Sequence, residues 1–282
     1  MSCPECFSGA AQEGTPRGRV GKAYGLDVYI AEPPEGTPLD GILVIVPDAF
    51  GWEFVNTRLL ADRLAQRGGY RVYLPDFMEG CAAPLSMLDS TRGLFTSTSI
   101  WSKIAWVPSL MTTFLPWAFY TRMGKTGPVV EGFFRRLRKD TDPQLPIGAV
   151  GFCWGGKHVI RMGDTAQFAI DGRPLFDAAF VGHPIDVSIP ADIQSIGVPF
   201  SFALGDKDHH VSSEGATVLR GILAEKPEGQ KGELVIYPNC GHGFALRADL
   251  TTNEVAKQAA DEAEEQCITW FKAHLKPRTE RG

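Results

Sequence analysis

Short apolar runs rich in Val, Ile, Leu and Phe recur at residues 41–47, 70–74, 147–152, 178–181, 199–204 and 233–237. Runs of that length read as strands buried on both faces. Between most of them lie stretches of helix length and mixed polarity at residues 54–67, 155–163 and 213–225, followed by a longer one over 253–275. The alternation predicts an α/β fold, a mostly parallel, doubly wound sheet with helices on both faces. The last stretch opens with Asn253, and Val255, Ala259, Ala263, Cys267, Trp270 and Phe271 recur at a spacing that makes one apolar stripe. That helix is expected to pack on the sheet.

One interval breaks the alternation. Residues 84–146 are too long for a plain connection and include Trp101, Trp106, Trp117 and Tyr120, while residues 133–139 at the far end are basic and read as helical. Long insertions at a strand end commonly serve function, so a lid or pocket wall and an ordinary accessory helix pair both stand open. Residues 100–120 are apolar enough to suggest a membrane span, but Lys103, Pro108 and Pro116 interrupt them, which favours a covered flap. The organisation read from this pattern is a flexible N-terminal tail over residues 1–21 and a single domain over 22–282 that carries the insertion at about 84–146.

Composition narrows the function classes. With 282 residues and 44% hydrophobic content the chain can bury a full core. Its 28 Lys and Arg against 33 Asp and Glu give a net charge of -5 with no basic run, which argues against nucleic acid as a partner. Cysteines at positions 3, 6, 81, 153, 240 and 267 are too sparse for a disulfide scaffold, so reduced thiols in a cytoplasmic setting are expected. The first 21 residues have neither the basic nor the apolar region of a secretory signal. The Cys3 and Cys6 pair lies in the tail rather than before a helix, and two cysteines do not close a zinc site, so it is read as structural or incidental.

The chemistry concentrates in three places. Gly151-Phe152-Cys153-Trp154-Gly155-Gly156 follows a strand and opens a helix, the setting of a nucleophile elbow, in which flanking glycines allow a sharp turn that projects the apical side chain. A thiol at a helix N-terminus is favoured as thiolate. Asp206 and Asp208 follow the strand at 199–204, and His242 follows that at 233–237 within Cys240-Gly241-His242-Gly243-Phe244. Nucleophile, acid and histidine thus come in the chain order this architecture uses. His209 and His210 adjoin the acid loop and are assigned to packing or solvent contact. Cys240 lacks an elbow, and Cys81 is read as a bystander.

At these residues the chain resembles the dienelactone hydrolase family, from about residue 25 to the C-terminal helix. The family's Gly-x-Cys-x-Gly-Gly elbow stands as Gly151 to Gly156, its acid loop as Asp208-His209-His210-Val211, and its Gly-His-x-Phe-Ala segment as Gly241-His242-Gly243-Phe244-Ala245. This register selects Asp208 over Asp206. The resemblance implies an α/β-hydrolase fold, hydrolysis of a lactone or related ester through a thioester, and no metal or organic cofactor. Where the family has a glutamate that contacts the resting thiol, this chain has Asp48. Where it has a substrate-binding arginine after the histidine, Leu246 stands, with Arg247 next. Its second arginine has no counterpart in the divergent interval.

The reading expected from the sequence is therefore a Cys153, Asp208, His242 triad. Backbone N–H groups of Trp154 and Ala49 form the oxyanion hole, and Asp48, Phe50, Arg247 and His183 are placed about the thiol and substrate pocket. The partner is a small-molecule ester or lactone, with no nucleic acid and no membrane, and assembly into a homo-oligomer is compatible with the sequence. A general carboxylesterase, a thioesterase, a lactonising or isomerising enzyme of secondary metabolism, and a non-catalytic small-molecule binder on the same scaffold are the competing readings. The aromatic insertion suggests a substrate larger or less polar than dienelactone.

Overall fold

The computed structural model describes residues 9–88, 111–248 and 253–276. Eight strands form one sheet in the order β1-β2-β4-β3-β5-β8-β9-β10. They are β1 (Arg19–Ala23), β2 (Leu26–Ala31), β3 (Gly41–Val46), β4 (Tyr70–Pro75), β5 (Ile147–Phe152), β8 (Ala178–Gly182), β9 (Phe200–Gly205) and β10 (Glu233–Tyr237). A small antiparallel pair, β6 (Ala169–Ile170) with β7 (Arg173–Pro174), stands apart. From β4 to β10 every pairing is parallel. Strands β3, β5, β8 and β9 are buried along their whole length, as continuous Val, Ile, Phe and Ala runs require when helices cover both faces.

The six strands read from apolar runs are all present. β1 and β2 escaped that reading because they pair antiparallel at the edge. Arg-Val-Gly-Lys-Ala of β1 is largely solvated, so no apolar run marks it. Their two-residue turn places Tyr24 and Gly25 at φ 54° and 90°, the left-handed pair that a tight hairpin demands.

Helix α1 (Val55–Gly68) and helix α7 (Glu254–His274) cover one face of the sheet. α2 (Met123–Asp140), α3 (Trp154–Met162) and α5 (Ser213–Glu225) cover the other, and α4 (Ala191–Gln194) and α6 (Phe244–Arg247) are single turns. Asn253 Oδ1 caps α7 by accepting from Ala256 N, and Ser212 Oγ caps α5 by accepting from Gly215 N, each at 3.0 Å. The apolar stripe of α7 is buried at Ala259, Ala263, Cys267, Trp270 and Phe271, whereas Val255 in its first turn is exposed.

Two features differ from the organisation read in the sequence. Residues 9–18 are tied down: Ala10 N donates to Arg247 O, Asn56 Nδ2 donates to Ala10 O, and Arg17 N donates to Asp62 Oδ2. Residues 19–21 belong to β1. Within the 84–146 interval, α2 is the crossover helix between β4 and β5, with Val130, Phe133, Phe134 and Leu137 in the core. It belongs to the doubly wound layer, so the departure from the plain pattern is confined to the residues before it, of which 111–120 are helical. Trp101, Trp106, Cys3 and Cys6 lie outside the described residues. No described helix is long and apolar enough to cross a membrane.

Candidate active site

The C-terminal ends of the parallel strands converge on one place, where open α/β sheets bind ligands. Cys153 sits between β5 and α3 with φ 51° and ψ -116°, a backbone state that costs a β-carbon-bearing residue about 1–3 kcal/mol and recurs at functional turns. The neighbouring glycines are obligatory. A β-carbon on Gly155 would lie 2.1 Å from Val46 O, and one on Gly151 2.9 Å from Gly155 O. Their absence lets Gly155 N donate to Pro47 O at 3.1 Å, drawing the β3 loop with Ala49 against the first turn of α3 with Trp154. Trp154 is fixed in turn by donating Nε1–H to Thr121 O at 2.9 Å.

The loops after β9 and β10 bring the acid and the histidine together. His242 Nδ1–H donates to Asp208 Oδ2 at 2.9 Å with both side chains buried. The other oxygen of Asp208 accepts from His210 N at 3.0 Å. Asp206 is exposed beside Lys207. Burial pushes the Asp208 pKa up, but the hydrogen bond and charge of His242 and the His210 N–H outweigh it and hold the carboxyl below its ordinary value. For His242 burial acts downward. The charge of the nearby Cys153 and the hydrogen bond to Asp208 prevail and raise it to about 9, which favours the charged form of the ring.

Asp48, Phe50 and Arg247 form a second buried set. Arg247 Nη1 donates to Asp48 Oδ2, and Phe50 N donates to Asp48 Oδ1 at 3.0 Å. The guanidinium also lies 5.5 Å from the centre of the Phe50 ring. Burial raises the Asp48 pKa, Arg247 opposes the rise, and the charge of Cys153 adds to it. Asp48 therefore lies within electrostatic reach of the thiol despite its short side chain, and in this structure it holds Arg247 inside the protein.

His183, placed with the pocket from the sequence, is fully buried and touches rings instead. Its centroid is 5.0 Å from that of His242 and 5.6 Å from that of Phe152. Burial, reinforced by His242 and Arg247, lowers its pKa well below the ordinary value, so it is a neutral ring packed against the histidine. His210, assigned to packing or solvent, flanks that same ring at 4.8 Å. The Asp-x-His turn at 208–210 is the sequence feature that could have disclosed this. Asp208, His210 and His242 also offer ligand atoms all within 4.8 Å of one another, although Asp208 and His242 are already committed to their mutual hydrogen bond. Cys240 and Cys267 are buried, and burial raises both thiols, which disfavours reactive thiolate at either.

Comparison with known proteins gives this geometry a lineage. The chain is 29% identical to hydrolase tropI of Talaromyces stipitatus, with 99% of this chain and 98% of that one covered. It is 24% identical to a carboxymethylenebutenolidase homolog of Xenopus tropicalis, with 97% of each chain covered. Among solved structures, a putative dienelactone hydrolase from Klebsiella pneumoniae shares the fold with a TM-score of 0.59 at 19% identity, over 95% of this chain and 97% of that one. The profile of the dienelactone hydrolase family matches residues 26–275. A cysteine elbow on an eight-stranded α/β-hydrolase sheet, matched by that profile over nearly its whole length, places the chain in the dienelactone hydrolase family, hydrolases of carboxylic ester and lactone bonds.

Proposed function

We propose that the protein hydrolyses a lactone or activated carboxylic ester through a Cys153, Asp208, His242 triad and a thioester acyl-enzyme, in the reducing cytoplasm. The observation that carries the reading is the strained cysteine apex within electrostatic reach of a histidine whose Nδ1–H is bonded to a buried aspartate. Asp208 orients the His242 ring and stabilises its charged form. His242 takes the Cys153 proton, and the thiolate attacks the carbonyl carbon. Backbone N–H groups of Trp154 and Ala49 receive the developing oxyanion, each donor being worth on the order of a hundredfold or more in rate. The imidazolium protonates the departing alkoxide. The ring, now neutral, then accepts a proton from water as the water oxygen attacks the thioester carbonyl, and the tetrahedral intermediate collapses to the carboxylic acid with the C–S bond broken and the thiolate released. Asp48 and Arg247 pair on the thiol's other flank; Asp48 stands where the family has its thiol-contacting carboxylate, and Arg247 lies one residue past the position of the family's substrate-binding arginine. A thiolate leaves readily, which suits enol lactones and activated esters over amides.

The test is turnover of p-nitrophenyl acetate, an enol lactone and an acyl thioester by the wild type and by Cys153→Ala, with intact mass recorded during turnover. An acyl adduct on the wild type, with activity lost at least ~1000-fold in the variant, is expected. Equal rates in the two proteins would remove Cys153 from the mechanism, and the relative rates on the panel separate lactonase from esterase and thioesterase.

A further inference from the structure

A cavity of about 520 Å³ shares a wall with the elbow, although neither Cys153 nor His242 lines it. It opens between helical residues 111–120, the start of α2, the first turn of α3 and the loop after β8. Among the described residues its apolar surface comes from Phe114, Trp117, Trp154 and Ile185, and its cations are Arg122 and Lys157. Trp154 is the residue after the nucleophile, and Ile185 N donates to Cys153 O at 3.3 Å. Two residues of the cavity wall are therefore tied to the elbow, Trp154 through the chain and Ile185 through its hydrogen bond to the Cys153 carbonyl.

The two cations differ. Lys157 Nζ is 3.6 Å from both Asp186 and Asp192, so its charge is met within the protein. Arg122 has no carboxylate partner among the described residues. It donates to Phe119 O, and its guanidinium carbon stands 4.1 Å from the centre of the Phe119 ring. A guanidinium held by an aromatic face and a carbonyl keeps donors for a planar anionic group. In a chain of net charge -5, an anionic ligand needs such a local cation. The volume is within the ordinary range of small-molecule sites, and rings of Phe and Trp favour a flat aromatic guest.

We propose that this cavity binds an aromatic group carrying an acidic oxygen, such as an aryl carboxylate or phenolate, as the part of the substrate beyond the reacting carbonyl. The proposal deepens the hydrolase reading and rests on it for the word substrate, but binding can be measured without turnover.

The first arm is calorimetric titration of 2-naphthoate into Cys153→Ala protein. Adding the exposed-site change Arg122→Gln should weaken binding about fivefold or more, and adding Ala118→Phe, which fills the cavity from a half-buried position, should abolish it. The second arm is kcat/KM on 6-acetoxy-2-naphthoate, 2-naphthyl acetate and p-nitrophenyl acetate. Arg122→Gln should reduce the preference for the carboxylated over the neutral naphthyl ester about fivefold, and Ala118→Phe should reduce both naphthyl esters relative to p-nitrophenyl acetate. Naphthoate that does not bind at millimolar concentration, or binds all variants alike, overturns the site. Selectivity ratios within twofold of wild type overturn its role in substrate choice. Binding that responds to the variants while no ester is turned over keeps the site and rejects the hydrolase reading instead.

Discussion

Two buried carboxylates serve the surroundings of Cys153, and the protein holds them differently. Asp208 lies on the β9 and β10 side, accepts from the His242 ring and the His210 N–H, and is kept below its ordinary pKa. Asp48 lies on the β3 side, faces a guanidinium, and is nonetheless pushed up. Asp48 is wholly enclosed, so the cost of taking its charge out of water outranks even an arginine partner. Asp208 gains enough donors to stay ionised. One carboxylate holds a histidine ring in place, the arrangement the proposed mechanism uses; the other belongs to a buried pair with a guanidinium, whose breakage strands a charge.

The comparison makes different demands of the two acids, and activity should show the largest contrast. Asp208→Asn leaves the ring without its orienting acceptor and is expected to lower kcat on p-nitrophenyl acetate by roughly 100-fold to 10,000-fold. Asp48→Asn should act chiefly on KM or the resting state of the thiol. An equal loss of kcat in both variants would erase the distinction drawn here.

Stability should separate them in the other direction. Arg247→Met leaves the Asp48 carboxylate buried without its guanidinium and is expected to cost about 3–5 kcal/mol, read from the urea midpoint. The double change Asp48→Leu with Arg247→Met should cost less than the single one, because no buried charge remains. A double variant less stable than the single would show that the pair stabilises the fold outright.

The smallest expected effect is a pH dependence from the histidine side. Because folding raises the His242 pKa from 6.5 to about 9, the stabilisation this supplies is complete below about pH 6.5 and is lost as pH rises towards 9. Thermal midpoints followed across that window should fall. Cys153→Ala removes the thiol whose charge helps raise the His242 pKa, so the imidazole should titrate at lower pH by NMR. An unchanged titration would mean that Cys153 does not bear on His242 electrostatically.

Legibility followed the physics of each feature. The interior strands were readable because burial on both faces forces continuous apolar runs, as in Gly-Ile-Leu-Val-Ile-Val of β3. Edge strand β1 needs no such run, and α2 was read with the insertion because no strand signal separates it from the aromatic stretch before it. The elbow was readable because close packing against Val46 O tolerates only glycine at 155, a constraint written directly into residue identity.

The sequence by itself determined the α/β class, the chain order of Cys153, Asp208 and His242 at strand ends, and the glycines that let Cys153 stand at an apex, because local sterics and burial periodicity act within a few residues. Only the tertiary structure decided that Asp48 meets Arg247 across 199 residues, that His183 packs against His242, and that Arg122 stands at a cavity beside Trp154. Those contacts depend on which strand ends become neighbours and how far each site is removed from water, and neither quantity is carried by any short stretch of chain.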